Sequence, residues 1–402
     1  MKTTNFLKSI FLMNILLLLF LVFACFSDVN ASTYYVSPTG SDSNSGSENA
    51  PFQTIQKAAN IVNPGDTVIV KNGTYTDTDG NDIIVNLTRG GTSSAWVSFK
   101  SQNQWGAILD GQNNGANFGF LLGYNANYIS IEGFEIKGCK EGGIWSNAKS
   151  HHVYIFRNKI HHIYYGLTAE PTATGKNGIF QGIGTSYHTY DSNIIYAIGR
   201  KPQSSYDFND YIHDHAIYMR GTNSSIISNV FYDCKAGDGI QIAPETNGVT
   251  IVNNTFVGPN PGKDGGGIIL WNGSNLRIQN NIFSSFKNYG IICSAYHPTG
   301  VNTYNNLTSP STTLLQGNCI DEDITTHNEI EGRDPKFVDP ANYDFHLRSD
   351  SPAIDKGLAF SGRTKDADGN SIVGAPDIGA YEVGGVSVDT IPPAPPEIIE
   401  VK

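Results

Sequence analysis

The chain has 402 residues and a formal net charge of -11 at pH 7; 39% of its residues are hydrophobic and 16% are charged. This acidic balance argues against a nucleic-acid-binding protein, because phosphate backbones are bound by clustered Lys and Arg. It also argues against nonspecific binding to polyanions. An acidic polymer is therefore expected to bind only at a local basic patch or through a bridging cation.

The first 31 residues have the pattern of a secretory signal peptide. Two lysines precede an apolar run from Ile10 to Cys25, and Ala31 ends a small-residue cleavage site. We expect cleavage after Ala31 and a secreted or cell-surface mature protein, with lipidation at Cys25 as the alternative. Loss of residues 1–31 removes two Lys and one Asp, so the formal charge changes from -11 to -12. No later apolar run is long enough to predict a membrane span.

The mature part begins with a predicted short strand at Thr33–Pro38 and a loop rich in Gly, Ser, Asp and Asn. Apolar residues from Phe52 to Val62 then fall at helical spacing, and Pro64-Gly65-Asp66 ends this predicted helix. The next residues, TVIVKNGTY, are typical of a strand and a turn.

From about Gly133 to Leu307 a short phrase returns, in which an asparagine stands between apolar residues and an apolar pair. With Gly133 in the first slot, its spacings are 25, 35, 36, 25, 27 and 25 residues, at Asn158, Asn193, Asn229, Asn254, Asn281 and Asn306. A second phrase keeps step with the first, at Gly143, Ala216, Gly239, Gly267 and Gly290. A repeat of this length indicates a solenoid, because one unit cannot bury its own apolar face.

The repeated units are short β-branched or aromatic runs separated by Gly, Asn and Asp, which are strand and turn signals. We therefore predict an all-β fold, a parallel β-helix solenoid whose open end is covered by the short N-terminal helix. The recurring asparagines are expected to form an internal ladder of side-chain amides, with a structural role.

Two segments carry a family resemblance. Residues 34–75, YYVSPTGSDSNSGSENAPFQTIQKAANIVNPGDTVIVKNGTY, resemble the N-terminal segment of secreted bacterial right-handed parallel β-helix proteins of the pectate lyase-like superfamily. The residues from Arg333 onward resemble the C-terminal segment that often closes such proteins. The resemblance implies a right-handed coil and a group that contains polysaccharide lyases, uronate epimerases, hydrolases and proteins without an assigned reaction. We divide the chain into a signal peptide (1–31), a β-helix domain with its N-terminal cap and C-terminal closing segment (32–383), and a Pro-rich tail (384–402).

Two neighbouring turns are longer than the repeat, at Tyr164–Gly182 and Gly199–Asp214. A solenoid carries insertions on the face that it uses, so we expect these two to form the walls of one groove. Glu170, Lys263 and Asp264 are further candidates for the lining of this groove.

Beside the second insertion lie five chemically capable residues within eight positions: His213, Asp214, His215, Tyr218 and Arg220. If Ile217 points into the core, strand alternation directs Tyr218 and Arg220 outward. The same register places Gln241 beside Tyr218, Trp271 two turns above Arg220, and Asp238 beside His215. We predict one face that carries these groups, with Gln241, Trp271, Lys263 and Trp145 as substrate contacts.

This mixture of rings and charges suits an acidic sugar polymer, because aromatic rings stack on pyranose faces and Arg or Lys binds carboxylates. Removal of the C5 proton of a uronate needs a neutralised carboxylate and a base within reach. We assign His215 as base or neutraliser, Tyr218 as acid/base partner and Arg220 as carboxylate ligand, supported by His213 and Asp238. The predicted function is an extracellular polysaccharide lyase that acts by β-elimination, as a monomer.

Three other functions stay open at this point. His213-Asp214-His215-Ala216 with Asp238 looks like the Asp-Pro-His-Glu and Asp-Gly pattern of mannuronan C5-epimerases, in which His215 matches the catalytic His. A glycoside hydrolase would need facing carboxylates, for which Asp214 with Asp238 or Glu170 are candidates. A non-catalytic cell-surface carbohydrate-binding protein would use the same rings without turnover.

The sequence offers few candidate residues for metal binding or for disulfide bonds. The cofactor considered is Ca2+ held by Asp214 and Asp238; a zinc triad is disfavoured because adjacent side chains on a strand point to opposite faces. Cys139 and Cys234 are expected to be buried turn residues, and a bridge between Cys293 and Cys319 is left open.

Overall fold

The computed structural model describes 31–113, 115–147, 149–165, 168–169, 175–202, 213–234, 237–258, 266–287, 289–293, 297–317, 319, 324–361 and 363–385. Outside these ranges lie the predicted signal segment up to residue 30, with Cys25, the three groove candidates Glu170, Lys263 and Asp264, and the tail from residue 386. Within the ranges, no helix combines the length and the apolar character needed to cross a membrane.

The described chain consists almost entirely of short strands. The first part contains β1 Thr33–Val36, helix α1 Ile55–Ala59, β2 Thr67–Val70, β3 Gly73–Tyr75, β4 Ile83–Leu87, β5 Val97–Ser101, β6 Ala107–Asp110, β7 Phe118–Leu122, β8 Ile129–Glu132, β9 Glu135–Lys137, β10 Gly142–Ser146, β11 His151–Phe156 and β12 Lys159–Ile163. The middle contains β13 Thr168–Ala169, β14 Asn177–Gln181, β15 Ser186–Asp191, β16 Ile194–Ile198, β17 Lys201–Pro202, β18 Ile217–Met219, β19 Ser225–Ile227, β20 Val230–Cys234, β21 Ile240–Ile242, β22 Thr250–Val252 and β23 Thr255–Val257. The last part contains β24 Ile268–Leu270, β25 Ser274–Gln279, β26 Ile282–Ser284, β27 Tyr289–Cys293, β28 Thr299–Tyr304, β29 Leu307–Thr308, β30 Thr313–Gly317, β31 Ile324–His327, β32 Phe337–Asp339, a 3-10 turn Pro340–Asn342 and β33 Asp344–Leu347.

The strands stack into three parallel sheets, and each coil of the chain passes through them in turn. The first sheet has 11 strands in the order β1-β2-β5-β8-β11-β15-β19-β22-β25-β28-β31. The second has nine, β3-β6-β9-β12-β16-β20-β23-β26-β29, and the third has nine, β4-β7-β10-β14-β18-β21-β24-β27-β30. This is the predicted parallel β-helix. We call the corner between the first and second sheets the ladder corner, the next the insertion corner, and the corner from the third sheet back to the first the aromatic corner.

The asparagine ladder is confirmed. Along it each backbone N–H donates to the side-chain oxygen of the next asparagine at 2.8–2.9 Å, and each side-chain NH2 donates to the same oxygen at 2.9–3.2 Å. One assignment is wrong: Glu135 pairs with Lys159, so Phe134 and not Gly133 stands opposite Asn158. The Phe134 N–H starts the ladder by donating to the Asn158 amide oxygen at 3.0 Å.

The glycine phrase has a steric cause at the start of the third-sheet strands. A Cβ at Gly267 would lie 2.4 Å from the Phe283 ring, and one at Gly239 would lie 2.7 Å from the Phe256 ring. Both distances are shorter than van der Waals contact, so the large core rings of the second sheet require glycine here.

The two ends of the chain pack against the rod. Helix α1 is shorter than the predicted span from Phe52 to Val62, and its Gln56 side chain bonds both the N–H and the C=O of Asn86 on β4, at 2.6 and 3.1 Å. Its role as a cap stays a prediction. The C-terminal segment lies along the ladder corner, where the Gly379 N–H donates to the Asn280 carbonyl at 2.8 Å.

Of the four cysteines in the described ranges, two are free and two form a disulfide. Cys139 and Cys234 are free and buried, as predicted. Cys293 and Cys319 form a disulfide that ties β27 to a residue beyond β30.

Candidate active site

The outer face of the third sheet carries one column of side chains that point away from the core. Its members on successive strands are Leu121, Trp145, Phe180, Tyr218, Gln241, Ile269 and Ile292. Tyr218 is half-buried between the fully buried Ile217 and Met219, which confirms the predicted alternation. The predicted neighbour of Tyr218, Gln241, is confirmed by the pairing of β18 with β21.

Three rings in this column form a stack along the rod. The Trp145 and Phe180 centroids are 3.8 Å apart with planes 11° from parallel, and the Phe180 and Tyr218 centroids are 5.5 Å apart at 15°. Each ring therefore covers a face of the next one. The stack ends at Tyr218, because the next residue in the column, Gln241, has no ring. Sequence reasoning missed Phe180, although it occupies the slot of Tyr218 one coil earlier.

Arg220 lies on the outer side, as predicted, and its side chain is paired with Glu245. Its guanidinium donates to both carboxylate oxygens of Glu245, at 2.7 and 3.2 Å. This hydrogen bonding raises the pKa of Arg220 further. Half-buried Trp271 stands two strands along from Arg220, with Ala243 between them, which confirms the predicted register.

His215 and Asp238 are neighbours, as predicted, but they do not belong to the outer face. His215 is fully buried and Asp238 is 3% exposed. The reason is strand alternation: both precede an inward-facing isoleucine, Ile217 or Ile240, by two positions and therefore share its direction. The prediction that His215 and Asp238 lie on the outer face beside Tyr218 is therefore wrong.

The hydrogen bonds of His215 define its tautomer. The Asp238 backbone N–H donates to His215 Nδ1 at 3.0 Å, which assigns the ring proton to Nε2. Burial, and then the neighbouring His213, lower the pKa of His215 to about 3, against opposing effects of Gln241 and Asp238. The imidazole is thus neutral at neutral pH, and its centroid lies 5.9 Å from that of Tyr218.

The Asp238 carboxylate accepts hydrogen bonds from groups on the next two coils. The Gly266 N–H donates to its Oδ1 at 2.8 Å, and the buried Tyr289 hydroxyl donates to the same oxygen at 3.2 Å. Asp238 therefore joins His215 to the next two coils.

Asp214 forms a buried ion pair. Arg200 donates through Nε and Nη2 to the two carboxylate oxygens at 2.9 and 2.7 Å, and the backbone N–H groups of Arg200 and Lys176 add bonds of 2.8 and 2.9 Å. Arg200 is 1% exposed and Asp214 is fully buried. In the described part of the chain, no group of three or more His, Cys, Asp or Glu residues is arranged to hold a metal.

His213 and Tyr218 are the half-buried titratable groups of the predicted set. Burial lowers the pKa of His213, with Arg200 acting in the same direction and Asp214 against it. Burial raises the pKa of Tyr218, and Glu245 adds to the effect while Arg220 opposes it. At neutral pH, His213 is therefore the group able to accept a proton and Tyr218 the group able to donate one.

The described parts of the two insertions lie side by side. Strand β13 of the first insertion pairs in parallel with β17 of the second, with Thr168 opposite Lys201 and Ala169 opposite Pro202. Both rise at the insertion corner, beside the strands that carry Phe180 and Tyr218. The two insertions are therefore neighbours, as predicted; the groove between them stays a prediction, because residues 166–167, 170–174 and 203–212 lie outside the described ranges.

Comparison with known proteins gives two family models that cover most of the chain. Residues 34–202 match the model described as Pel9A-like, right handed beta helix region, and residues 207–352 match the model described as Right handed beta helix region. The predicted right-handed coil is thereby confirmed.

Individual relatives are more distant. Pectate lyase PEL9 of Emericella nidulans is 37% identical over 89 residues, which are 22% of this chain and 21% of that protein; the match thus spans about a fifth of the curated relative. The crystal structure of pectate lyase Pel9A superposes with a TM-score of 0.55, at 18% identity, over 87% of this chain and 96% of that chain. A rhamnogalacturonan lyase superposes with a TM-score of 0.51, at 15% identity, over 77% and 91%. At these identities the structural matches show the fold.

Proposed function

Because the chain is a right-handed parallel β-helix protein of the pectate lyase-like superfamily, we propose that it is an exported lyase that cleaves a uronate-containing polysaccharide by β-elimination. The reaction takes place on the outer face of the third sheet. The observation that carries the proposal is the stack of Trp145, Phe180 and Tyr218 at the base of both insertions, with neutral His215 beside its last ring.

The proposed reaction needs three groups. A base removes the proton at C5 of a uronate, a double bond forms between C4 and C5, and the bond from C4 to the glycosidic oxygen breaks. The expelled oxygen takes up a proton from an acid, and a cation or hydrogen-bond donor stabilises the carboxylate as charge develops on it.

Three residues supply these roles, and a fourth positions one of them. We assign His213 as the base, because it is half-buried at the insertion corner, lies close enough to His215 to lower the pKa of that residue, and has a lowered pKa that leaves it neutral. We assign Tyr218 as the acid, since its raised pKa keeps it protonated. Arg220 releases Glu245 and binds the uronate carboxylate in its place. Fully buried His215 does not reach a substrate, so we assign it the positioning of Tyr218 in place of the role of base.

The hydrolase alternative loses its candidate carboxylates in the described part of the chain. Asp214 is paired with Arg200, and Asp238 accepts bonds from Gly266 and Tyr289. A hydrolase needs two carboxyl groups that face each other across the substrate. The C5-epimerase alternative shares removal of the C5 proton with the lyase, so it is retained as an outcome of the test.

A calcium ion does not fit the two carboxylates predicted to hold it. Asp214 and Asp238 each accept hydrogen bonds from nitrogen or hydroxyl donors that a cation would have to displace. We therefore derive no step through calcium and expect turnover to survive chelation.

The deciding experiment is incubation of residues 32–402 with polygalacturonate, alginate and glucuronan, with and without EDTA, while the absorbance of new C4–C5 double bonds is followed in the ultraviolet. A rise in absorbance with at least one polymer is expected. Incorporation of solvent deuterium at C5 without chain cleavage would indicate an epimerase, and new reducing ends without unsaturation a hydrolase. Absence of all three signals would contradict an enzymatic function.

Tyr218→Phe tests the assigned acid. Loss of the phenol proton is expected to lower kcat about 100-fold, the lower end of what general acid catalysis contributes. Tyr196→Phe is the matched control, because Tyr196 is also an outward, half-buried ring in a stack, 4.6 Å from Tyr232 on the second sheet. Equal activity of the two variants would exclude Tyr218 as the acid.

A further inference from the structure

At the aromatic corner, three consecutive coils place a ring at a strained backbone position. Tyr128, His152 and Tyr187 have φ of 51°, 54° and 57°. Later coils fill the same column with Asn223, Gly248, Asn275 and Gly300, all at positive φ. Asn and Gly tolerate this left-handed region best, whereas bulky residues rarely adopt it. The same φ occurs at other corners, for example at Arg157 and Ser192, so the coil itself selects it; this column differs in that three consecutive coils place a ring there.

The three rings form a stack at the surface. Tyr128 and His152 have centroids 4.6 Å apart, and His152 and Tyr187 have centroids 4.8 Å apart, both with planes 20° from parallel. Trp96 extends the row with an edge contact to Tyr128 at 5.6 Å. Tyr187 is 41% exposed, and the next residue in the column, Asn223, has no ring to cover its free face. The row ends in an open aromatic platform.

The charge of this corner is opposite to that of the chain. The segments 88–96, 123–128, 147–152 and 182–187, which form the corner in four coils, contain no Asp or Glu, although the chain has a net charge of -11. Their charged side chains are Arg89 and Lys149; burial lowers the pKa of His151 and of His152, so both imidazoles are neutral at neutral pH. Lys149 lies 5.9 Å from the centroid of the Tyr124 ring, which is 61% exposed. This is a local basic patch with exposed rings.

The corner also continues the face proposed as the active site. Leu121, Trp145 and Phe180 on the third sheet are followed, seven residues later in the same coils, by the three ring positions of the corner. The insertions border the third sheet on its other side. A chain laid across the sheet from the insertions therefore meets the corner next.

We propose that the aromatic corner, defined by Trp96, Tyr128, His152 and Tyr187 with Lys149, is a second binding site for an acidic polysaccharide. It holds a stretch of sugar chain that extends beyond the third-sheet site. The inference rests on the proposed function for its choice of polymer. The free face of Tyr187 packs against a sugar ring, and Lys149 binds a uronate carboxylate.

Replacement of each ring by the asparagine that the column itself uses gives a sharp test. Tyr187→Asn and the triple variant Tyr128→Asn/His152→Asn/Tyr187→Asn are expected to fold with an unchanged or higher melting temperature, because asparagine relieves the left-handed strain. The matched control is Tyr343→Asn: Tyr343 has φ of 64°, is 61% exposed and stacks on Tyr232 at 4.9 Å, far from the corner in the sequence.

The measurement is retardation in native gels that contain polygalacturonate, alginate or dextran. The triple variant is expected to bind an acidic polymer about tenfold more weakly than the wild-type chain and the Tyr343→Asn control, and Tyr187→Phe is expected to bind normally. Dextran should not retard any of them. Equal retardation of the triple variant and the control, no retardation by either acidic polymer, or equal retardation by dextran would overturn the proposal.

Turnover measured in parallel separates this inference from the proposed function. With an active enzyme, the triple variant should raise KM for the polymer and leave kcat on short oligosaccharides unchanged. Retardation that depends on the corner, without any turnover, would support the corner and contradict the lyase. Turnover with wild-type binding by the triple variant would support the lyase and contradict the corner.

Discussion

Conversion of Asp214 to asparagine separates a structural from a catalytic or metal-binding role for this residue. The change keeps the shape of the side chain but leaves the Arg200 guanidinium, which is 1% exposed, without the negative charge that it contacts at 2.7 and 2.9 Å. Breaking a buried ion pair in this way costs about 3–5 kcal/mol of unfolding free energy. Arg200→Met leaves a buried carboxylate that keeps two backbone N–H donors, so its cost should lie near the lower end, about 3 kcal/mol.

The double variant decides the interpretation. With both charges removed, no buried ion is left uncompensated, and we expect a total cost of about 3–4 kcal/mol in place of the sum of the single costs. The assay is urea unfolding followed by far-ultraviolet circular dichroism, with the four proteins compared as a double-mutant cycle. Additive costs, or a melting temperature of the wild-type protein that EDTA lowers, would refute the reasoning and return Asp214 to the metal-binding candidates.

Three further outcomes are expected. Asn229→Ala should cost about 2–6 kcal/mol of unfolding free energy, because it leaves two buried backbone groups without partners. Asn275→Gly, at an exposed left-handed position, should cost under about 0.5 kcal/mol. Equal urea midpoints of these two variants would contradict the ladder. Gly267→Ala should destabilise the fold by about 1–3 kcal/mol, since its Cβ would meet a core ring at 2.4 Å, while Gly123→Ala, with its nearest contact at 3.4 Å, should be tolerated in the same assay. Two flanking carboxylates raise the pKa of His346 to about 9, so its stabilising charge should be fully present below pH 6.5 and lost as the pH rises towards 9; His346→Gln should flatten the melting temperature over this range, and an unchanged profile would exclude the charged pair.

Apart from the one-residue register error at Gly133, the errors of the sequence reasoning concern the direction in which side chains point. The predicted register of Tyr218 with Gln241 and of His215 with Asp238 is correct. The alternation that sends Tyr218 outward also sends His215 inward, and applying the rule two residues further back would have shown this. The same rule would have identified Phe180 as an outward-facing residue, because it precedes Gln181 as Tyr218 precedes Met219.

The aromatic corner was also present in the sequence as a spacing. Tyr128, His152 and Tyr187 follow the same coil register as the asparagine ladder, so their alignment in one column is predictable. Their positive φ is not, because aromatic residues by themselves disfavour this conformation and the packing of the coils on either side imposes it.

The amino-acid sequence by itself determined the coiled architecture, because the asparagine and glycine columns are repeated at the period of the coil and each needs only its own neighbours above and below. Only the tertiary structure decided which candidate groups are available for chemistry. Asp214 meets Arg200 across an insertion that has no repeat, and Arg220 meets Glu245 on the next coil, so the partner of each charge depends on how irregular segments close in space. A periodic sequence specifies its own stacking, whereas a buried charge is specified by whatever the fold brings to it.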